Sequence, residues 1–140
     1  MCETFAARRR PRRPKEETPV FKLLSIIRAA FGQGELRELS VDEVAGSLGK
    51  NGFHVFDVNP RARWSMGHVP GAINLDPADF TAADLPADRN VTLVFYCSDP
   101  GCGASRFAAR RAQQMGYANV FVMPAGIRGW LEAGKPVERG

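Results

Sequence analysis

Val91-Thr92-Leu93-Val94-Phe95-Tyr96-Cys97, followed by Ser98-Asp99-Pro100-Gly101-Cys102-Gly103-Ala104-Ser105, is the most informative part of this sequence. The first seven residues are β-branched, aromatic and apolar, and a Pro/Gly-rich segment ends them, which predicts a buried parallel strand. Cys97 would then lie at the carboxyl end of that strand, at the sheet edge where open α/β sheets bind ligands. A helix is predicted to begin at Ser105, with its positive end facing the loop.

Strand and helix patterns alternate along the rest of the chain from residue 35. The predicted strands are 36–39, 53–58, 72–75, 91–96 and 119–122, and the predicted helices are 40–48, 60–66, 105–115 and 127–133. Ser40 and Glu43 have the spacing of a capping box, which supports a helix start at this point. The alternation predicts an α/β fold with a mostly parallel sheet and helices on both faces.

Charge and hydropathy divide the 140 residues into three parts. Residues 1–17 hold six of the 19 basic and three of the 15 acidic side chains, so the net charge of +4 is largely that of a basic arm. Such a run is typical of a disordered, solvated segment. Residues 18–34 predict a nearly all-apolar helix beginning after Thr18, and residues 35–140 form the folded domain.

The apolar segment also suggests contacts. Residues 19–31 could pack on the domain, form a homodimer contact or lie on a membrane surface beside the basic arm. No aromatic pattern or known module in the sequence points to specific nucleic-acid binding. The chain has neither an apolar run long enough to cross a bilayer nor a secretory signal, so we expect a cytoplasmic protein.

Cys97 is the candidate nucleophile. Backbone N–H groups of a short loop and the N-terminus of a helix stabilise a thiolate, so the position predicts a lowered pKa for Cys97. The predicted active-loop backbone comprises Ser98, Asp99, Pro100, Gly101, Gly103, Ala104 and Ser105. Asp57, Trp64 and Arg106 are candidate pocket residues: Asp57 could bond to the loop N–H groups, whereas packing is the favoured role for Trp64 and a solvated helix position for Arg106.

Three motifs, taken in order, resemble the signatures of rhodanese-like sulfurtransferase domains. The first is Asp57-Val58 followed by Gly67-His68-Val69-Pro70-Gly71-Ala72, the second is the strand ending in Cys97, and the third is Gly126-Ile127-Arg128-Gly129-Trp130. The resemblance covers about residues 36 to 138. It implies a three-layer domain built on a five-stranded sheet, with Cys97 at the position of the family's nucleophile and His68 as a structural part of a turn.

The resemblance also implies an activity. In the family, the cysteine takes a sulfane sulfur from a small donor as a persulfide and passes it to a thiol or protein acceptor, in two covalent half-reactions. Backbone N–H groups would stabilise the anionic sulfur as an oxyanion hole does. No metal or organic cofactor is required.

The active loop departs from the family pattern. Seven residues, 98–104, separate Cys97 from Ser105, more than is usual, and none is basic. The side-chain partner expected for thiosulfate is therefore missing. Related phosphatases have longer loops, but they need an arginine at the position of Gly103, so phosphatase activity is not expected.

Cys102 is a second thiol within this loop. It could attack a Cys97 persulfide to give a disulfide, exchange sulfur with Cys97, or simply pack as a small side chain. Three functions remain open from the sequence: a sulfurtransferase, a catalytically silent binding domain, and a thiol redox switch using Cys97 and Cys102. Two cysteines alone do not make a zinc site, so no metal is expected.

Overall fold

The computed structural model describes residues 35–140. The predicted basic arm, 1–17, and apolar helix, 18–34, lie outside the described residues. Five strands are present: β1 (Arg37–Glu38), β2 (Phe53–Asp57), β3 (Ile73–Asn74), β4 (Thr92–Tyr96) and β5 (Val120–Val122). Four α-helices connect them, α1 (Val41–Ser47), α2 (Arg61–Met66), α3 (Ala104–Gln114) and α4 (Gly126–Glu132), together with a short 3₁₀ helix (Ala82–Asp84).

The strands form one parallel sheet in the order β1-β5-β4-β2-β3. β4 is central and pairs along its whole length with β2, from Phe53 opposite Thr92 to Asp57 opposite Tyr96. Because all the strands run in the same direction, their carboxyl ends meet at one edge of the sheet. The predicted fold class is confirmed.

Alternate residues of β4 pack on opposite faces of the sheet, as the two-residue period of a strand requires. On one face, Leu93 and Phe95 join the buried cluster that includes the α3 residues Ala108 and Ala112. On the other, Val94 and Tyr96 join the cluster that includes Val44 of α1 and Trp130 of α4. The central sheet is therefore covered by helices on both faces.

Between residues 35 and 140, the predicted strands and helices agree with the structure to within one residue at each end. The capping box is present, since Ser40 Oγ accepts from the Glu43 N–H at 3.1 Å and the Glu43 carboxylate accepts from the Ser40 N–H at 3.2 Å. The 3₁₀ helix was not predicted. None of the helices between residues 35 and 140 combines the length and the hydropathy that a bilayer crossing requires.

Candidate active site

Cys97 lies directly after β4, at the carboxyl edge of the sheet, as predicted. Its side chain belongs to the buried cluster on the α3 face, and the residue is 2% exposed. The Cys97 Sγ lies 3.4 Å from the carbonyl oxygen of Cys102 and 3.5 Å from Ser105 Oγ in the first turn of α3. The active loop thus closes over Cys97 and covers it from solvent.

A tight turn gives the loop this path. The Cys102 N–H donates to the Asp99 carbonyl at 3.1 Å, and the Gly101 N–H donates to Asp99 Oδ1 at 2.9 Å. Pro100 follows Asp99 as the second residue of this turn, a position that suits the fixed φ of proline. Asp99 therefore shapes the loop, and the turn brings Cys102 back over Cys97.

The two thiols differ in acidity. Burial raises the pKa of Cys97, and a hydrogen bond to Cys102 raises it further, against the lowering effect of Ser105. At Cys102, partial burial raises the pKa, but hydrogen bonds from the Cys97 thiol and from the N–H groups of Ala104 and Ser98 outweigh this effect and lower it. The predicted lowering of the Cys97 pKa is wrong, because burial raises this pKa by more than the Ser105 hydroxyl and N–H lower it.

The first turn of α4 holds the start of the loop. The Ile127 N–H donates to the Cys97 carbonyl at 2.9 Å, and the Arg128 N–H donates to the Ser98 carbonyl at 3.0 Å. Gly126 makes this approach feasible, because a Cβ at that position would lie 2.6 Å from the Ser98 carbonyl carbon and 2.7 Å from the Cys97 oxygen. The glycine was visible in the sequence as part of a signature, but its role in positioning the loop was not predicted.

Asp57 lies at the same edge of the sheet but does not face the loop amides. Its carboxylate accepts from the Asn59 N–H at 2.7 Å and from the Tyr96 hydroxyl at 2.7 Å. Burial raises the pKa of Asp57, and these two hydrogen bonds partly offset that rise. The contacts of Asp57 tie the end of β2 to β4, which makes it a structural residue at this site.

Trp64 and His68 contact each other away from the loop. Their rings stack with centroids 4.2 Å apart, the Trp64 Nε1 donates to the Ala72 carbonyl at 2.9 Å, and His68 Nδ1 lies 2.8 Å from the Trp64 carbonyl. His68 is also paired through its backbone with Glu138. Both aromatic residues therefore stabilise the segment after α2.

Arg106 is directed toward the sheet edge formed by β1. Its guanidinium forms an ion pair with Glu38 at 2.7 Å, and about half of each side chain is exposed. That pairing occupies the basic group nearest to the loop in sequence. The structure thus brings Ser98–Ser105 around Cys97, but it gives Asp57, Trp64 and Arg106 partners elsewhere.

A cleft of about 520 Å³ borders the loop at Ala104. Its walls come from the ends of β2 and β3 and the start of α2, and they are formed by Val58, Asn59, Pro60, Arg61, Asn74, Leu75, Asp76 and Pro77. Asn74 fixes this wall, since its Nδ2 donates to the carbonyls of Asp57 and Asn59 at 3.0 and 2.8 Å. Arg61 supplies the cleft with a cationic side chain. These residues were not predicted as a group, because three separate segments form the wall.

Three features of this structure can be compared with known protein families. They are the parallel sheet, the cysteine at the end of its central strand and the loop closed over that cysteine. The sequence model of the Rhodanese-like domain matches residues 40–133, and this chain belongs to that family.

Relatives and a solved structure support the assignment. A thiosulfate sulfurtransferase, GlpE, of Pseudomonas aeruginosa is 32% identical over 91 residues, which cover 63% of this chain and 78% of the relative. An HTH-type transcriptional regulator of Mycobacterium tuberculosis is 36% identical over 86 residues. That match covers 60% of this chain but only 37% of the regulator.

The fold comparison agrees with the sequence comparison. The crystal structure of a thiosulfate sulfurtransferase from Pseudomonas aeruginosa superposes with a TM-score of 0.67 at 26% identity, covering 77% of this chain and 20% of that one. Because the relatives include both a sulfurtransferase and a transcriptional regulator, family membership alone does not decide whether this chain is catalytic. That question depends on the loop.

Proposed function

We propose that this chain is a cytoplasmic sulfurtransferase in which Cys97 carries a sulfane sulfur as a persulfide between a small donor and a thiol acceptor. The observation that carries the proposal is the position of Cys97, at the end of the central strand of a rhodanese-like domain, with Ser105 and the loop around its sulfur. A buried cysteine that touches only apolar groups would be inert. This one contacts Ser105, whose hydroxyl and N–H stabilise an anionic sulfur.

The first half-reaction begins with loss of the Cys97 proton. Burial raises the pKa of Cys97, so the reactive form is the thiolate that the Ser105 hydroxyl and N–H stabilise, and the proton passes to solvent or to the departing thiolate of the donor. The Cys97 thiolate attacks the terminal sulfur of the donor, and the remainder of the donor leaves as a thiolate. The hydroxyl and the N–H of Ser105 face Cys97 and stabilise the developing charge.

The second half-reaction regenerates the enzyme. An acceptor thiolate attacks the terminal sulfur of the Cys97 persulfide, the new sulfur–sulfur bond forms on the acceptor, and Cys97 leaves as a thiolate. The cleft beside Ala104 is the proposed binding place for the donor and acceptor, with Arg61 for an anionic end. Since no residue between 98 and 104 is basic, we expect a persulfide donor to be used in preference to thiosulfate.

Mass spectrometry tests the proposal directly. The full chain is treated with glutathione persulfide in one series and thiosulfate in another, first in a Cys102→Ser background so that only Cys97 can carry sulfur within the active loop. We expect Cys97 to gain the mass of one sulfur and to transfer it to added thiol, and we expect Cys97→Ser to abolish the adduct. Arg61→Ala should weaken binding of the anionic donor without changing the adduct site. A chain that gains no sulfur from any donor would instead support a catalytically silent binding domain.

A further inference from the structure

Cys97 and Cys102 are the two cysteines of residues 35–140, and both have free thiols in the structure. The Cys97 thiol donates to the Cys102 backbone carbonyl at 3.4 Å, and both cysteines contribute to the same hydrophobic cluster. Their accessibility differs, because Cys97 is almost fully buried and Cys102 is partly exposed. A persulfide formed on Cys97 would therefore share the active loop with a second, more exposed thiol.

We infer that Cys102 is a resolving thiol, which attacks the Sγ of a Cys97 persulfide, forms the Cys97–Cys102 disulfide and releases the sulfane sulfur as hydrosulfide. This inference rests on the proposed function. The sulfur–sulfur bond of the persulfide breaks as the disulfide bond forms, and the Cys102 proton leaves with the hydrosulfide. The two cysteines together lose two electrons and the sulfane sulfur gains them, so the step needs no outside oxidant.

Attack on the inner sulfur is favoured over a transfer of the outer sulfur to Cys102. In thiol–disulfide exchange the group with the lower pKa leaves faster. Burial raises the pKa of Cys97, so Cys97 leaves more slowly than hydrosulfide where both sulfurs can be attacked, whereas an external acceptor meets only the outer sulfur because Cys97 is 2% exposed. Hydrosulfide is the better leaving group of the two. The geometry points the same way, because the backbone of Cys102 lies against Cys97 Sγ, the inner sulfur of the persulfide, with its carbonyl oxygen 3.4 Å away.

The consequence is a second outcome for the loaded enzyme. A persulfide that meets an external acceptor thiol soon after it forms donates its sulfur to that thiol. Without an acceptor, the sulfane sulfur is released as hydrosulfide, and Cys97 and Cys102 remain joined as a disulfide. A dithiol reductant, of the kind that a reducing compartment supplies, then restores both thiols. Cys102 would thus limit the lifetime of the persulfide in the absence of an acceptor.

The experiment uses the full chain in a Cys2→Ser background, which removes the thiol outside the described residues. The protein is mixed anaerobically with one equivalent of glutathione persulfide and no acceptor. We expect the protein with both loop cysteines to lose two hydrogens, with Cys97 and Cys102 joined, and to release about one hydrosulfide per chain. Cys102→Ser should instead keep the added sulfur on Cys97 and release hydrosulfide at least about tenfold more slowly.

Two results would overturn the resolving role of Cys102. One is a stable persulfide on Cys97 in the protein with both thiols, and the other is an added sulfur on Cys102. Both results leave sulfur transfer intact. The proposed function itself would be overturned if Cys102→Ser gained no sulfur and the protein with both loop cysteines formed no disulfide. Cys102→Ala is the second variant, which separates loss of the thiol from an effect of the serine hydroxyl.

Discussion

Cys97 and Cys102 show how strongly the path of a short loop controls thiol chemistry. The loop amides lie close to both sulfurs, yet Ala104 and Ser98 direct their N–H groups to Cys102, and Ser105 directs its N–H to Cys97. Burial then opposes ionisation more strongly at Cys97. Ionisation is accordingly favoured at Cys102 relative to Cys97.

This difference in ionisation predicts the order of alkylation. At neutral pH iodoacetamide should modify Cys102 before Cys97, because thiolates react and the pKa of Cys102 is lowered. The labelling rate of Cys97 should continue to rise at higher pH than that of Cys102, since burial raises its pKa. Peptide mapping of a time course at several pH values measures both rates, with Cys2→Ser as the parent protein. Faster labelling of Cys97 at neutral pH would contradict this difference in ionisation.

The position of Cys97 could be predicted from the sequence, but its acidity could not. The apolar run before it and the Pro/Gly-rich segment after it locate the thiol at the end of a strand. Which sulfur the amides face depends on the turn at Asp99 and on the contact of the loop with α4, and neither follows from residue types alone. Arg106 illustrates the same limit, because its partner Glu38 is 68 residues away in sequence.

The turn between β5 and α4 connects the end of the sheet to the active loop. Gly126 adopts a φ of 65° and packs directly against the backbone of Cys97 and Ser98. Two effects therefore restrict this position: the left-handed backbone conformation, and the absence of space for a Cβ. The hydrogen bonds from Ile127 and Arg128 depend on both.

Gly134→Ala is a matched control for Gly126→Ala. Gly134 has a similar φ of 71°, but a Cβ there would meet nothing within 4 Å. We expect Gly134→Ala to lower the free energy of unfolding by about 1 kcal/mol through backbone strain alone. Gly126→Ala should cost about 3 kcal/mol or more and reduce sulfur loading of Cys97, because the clash displaces the loop. Urea denaturation compares the two, and equal losses would show that the close contact is unimportant.

Local signals explain which elements could be predicted. The Ser40–Glu43 capping box and the apolar strand β4 have strong short-range patterns, and both are confirmed. The 3₁₀ helix at Ala82–Asp84 is capped by Thr81 in the same way, but it is too short to show a periodic pattern. The cleft beside Ala104 could not be predicted for a different reason, since its wall combines segments that only the sheet order brings together.

A buried hydrogen-bond chain joins β2, β4 and the turn before β3. The Tyr96 hydroxyl donates to Asp57 Oδ2 at 2.7 Å and accepts from the Val69 N–H at 3.0 Å, so β4, β2 and the turn before β3 share one polar contact. All three residues are fully buried. Removal of the hydroxyl would leave a buried carboxylate and a buried N–H without this partner.

Tyr96→Phe should therefore lower the free energy of unfolding by about 2–4 kcal/mol. The reason is that the variant keeps the ring in the core but deletes both hydrogen bonds. A double-mutant cycle with Asp57→Asn, measured by urea denaturation, isolates the interaction between the two side chains, for which we expect about 1–3 kcal/mol. Additive losses in the double variant would mean that the two residues act independently.

The pH dependence of the same cycle tests the ionisation of Asp57. Burial raises the pKa of Asp57 above 3.8, despite the hydrogen bonds from Tyr96 and Asn59. A carboxyl group whose folded pKa is raised adds stability below its unfolded pKa and loses that contribution as the pH rises through the folded value. The free energy of unfolding of the unsubstituted protein, minus that of Asp57→Asn, should consequently increase as the pH falls from 7 toward 4. A relative stability that decreases over this range would show that hydrogen bonding to the carboxylate outweighs the cost of burying its charge.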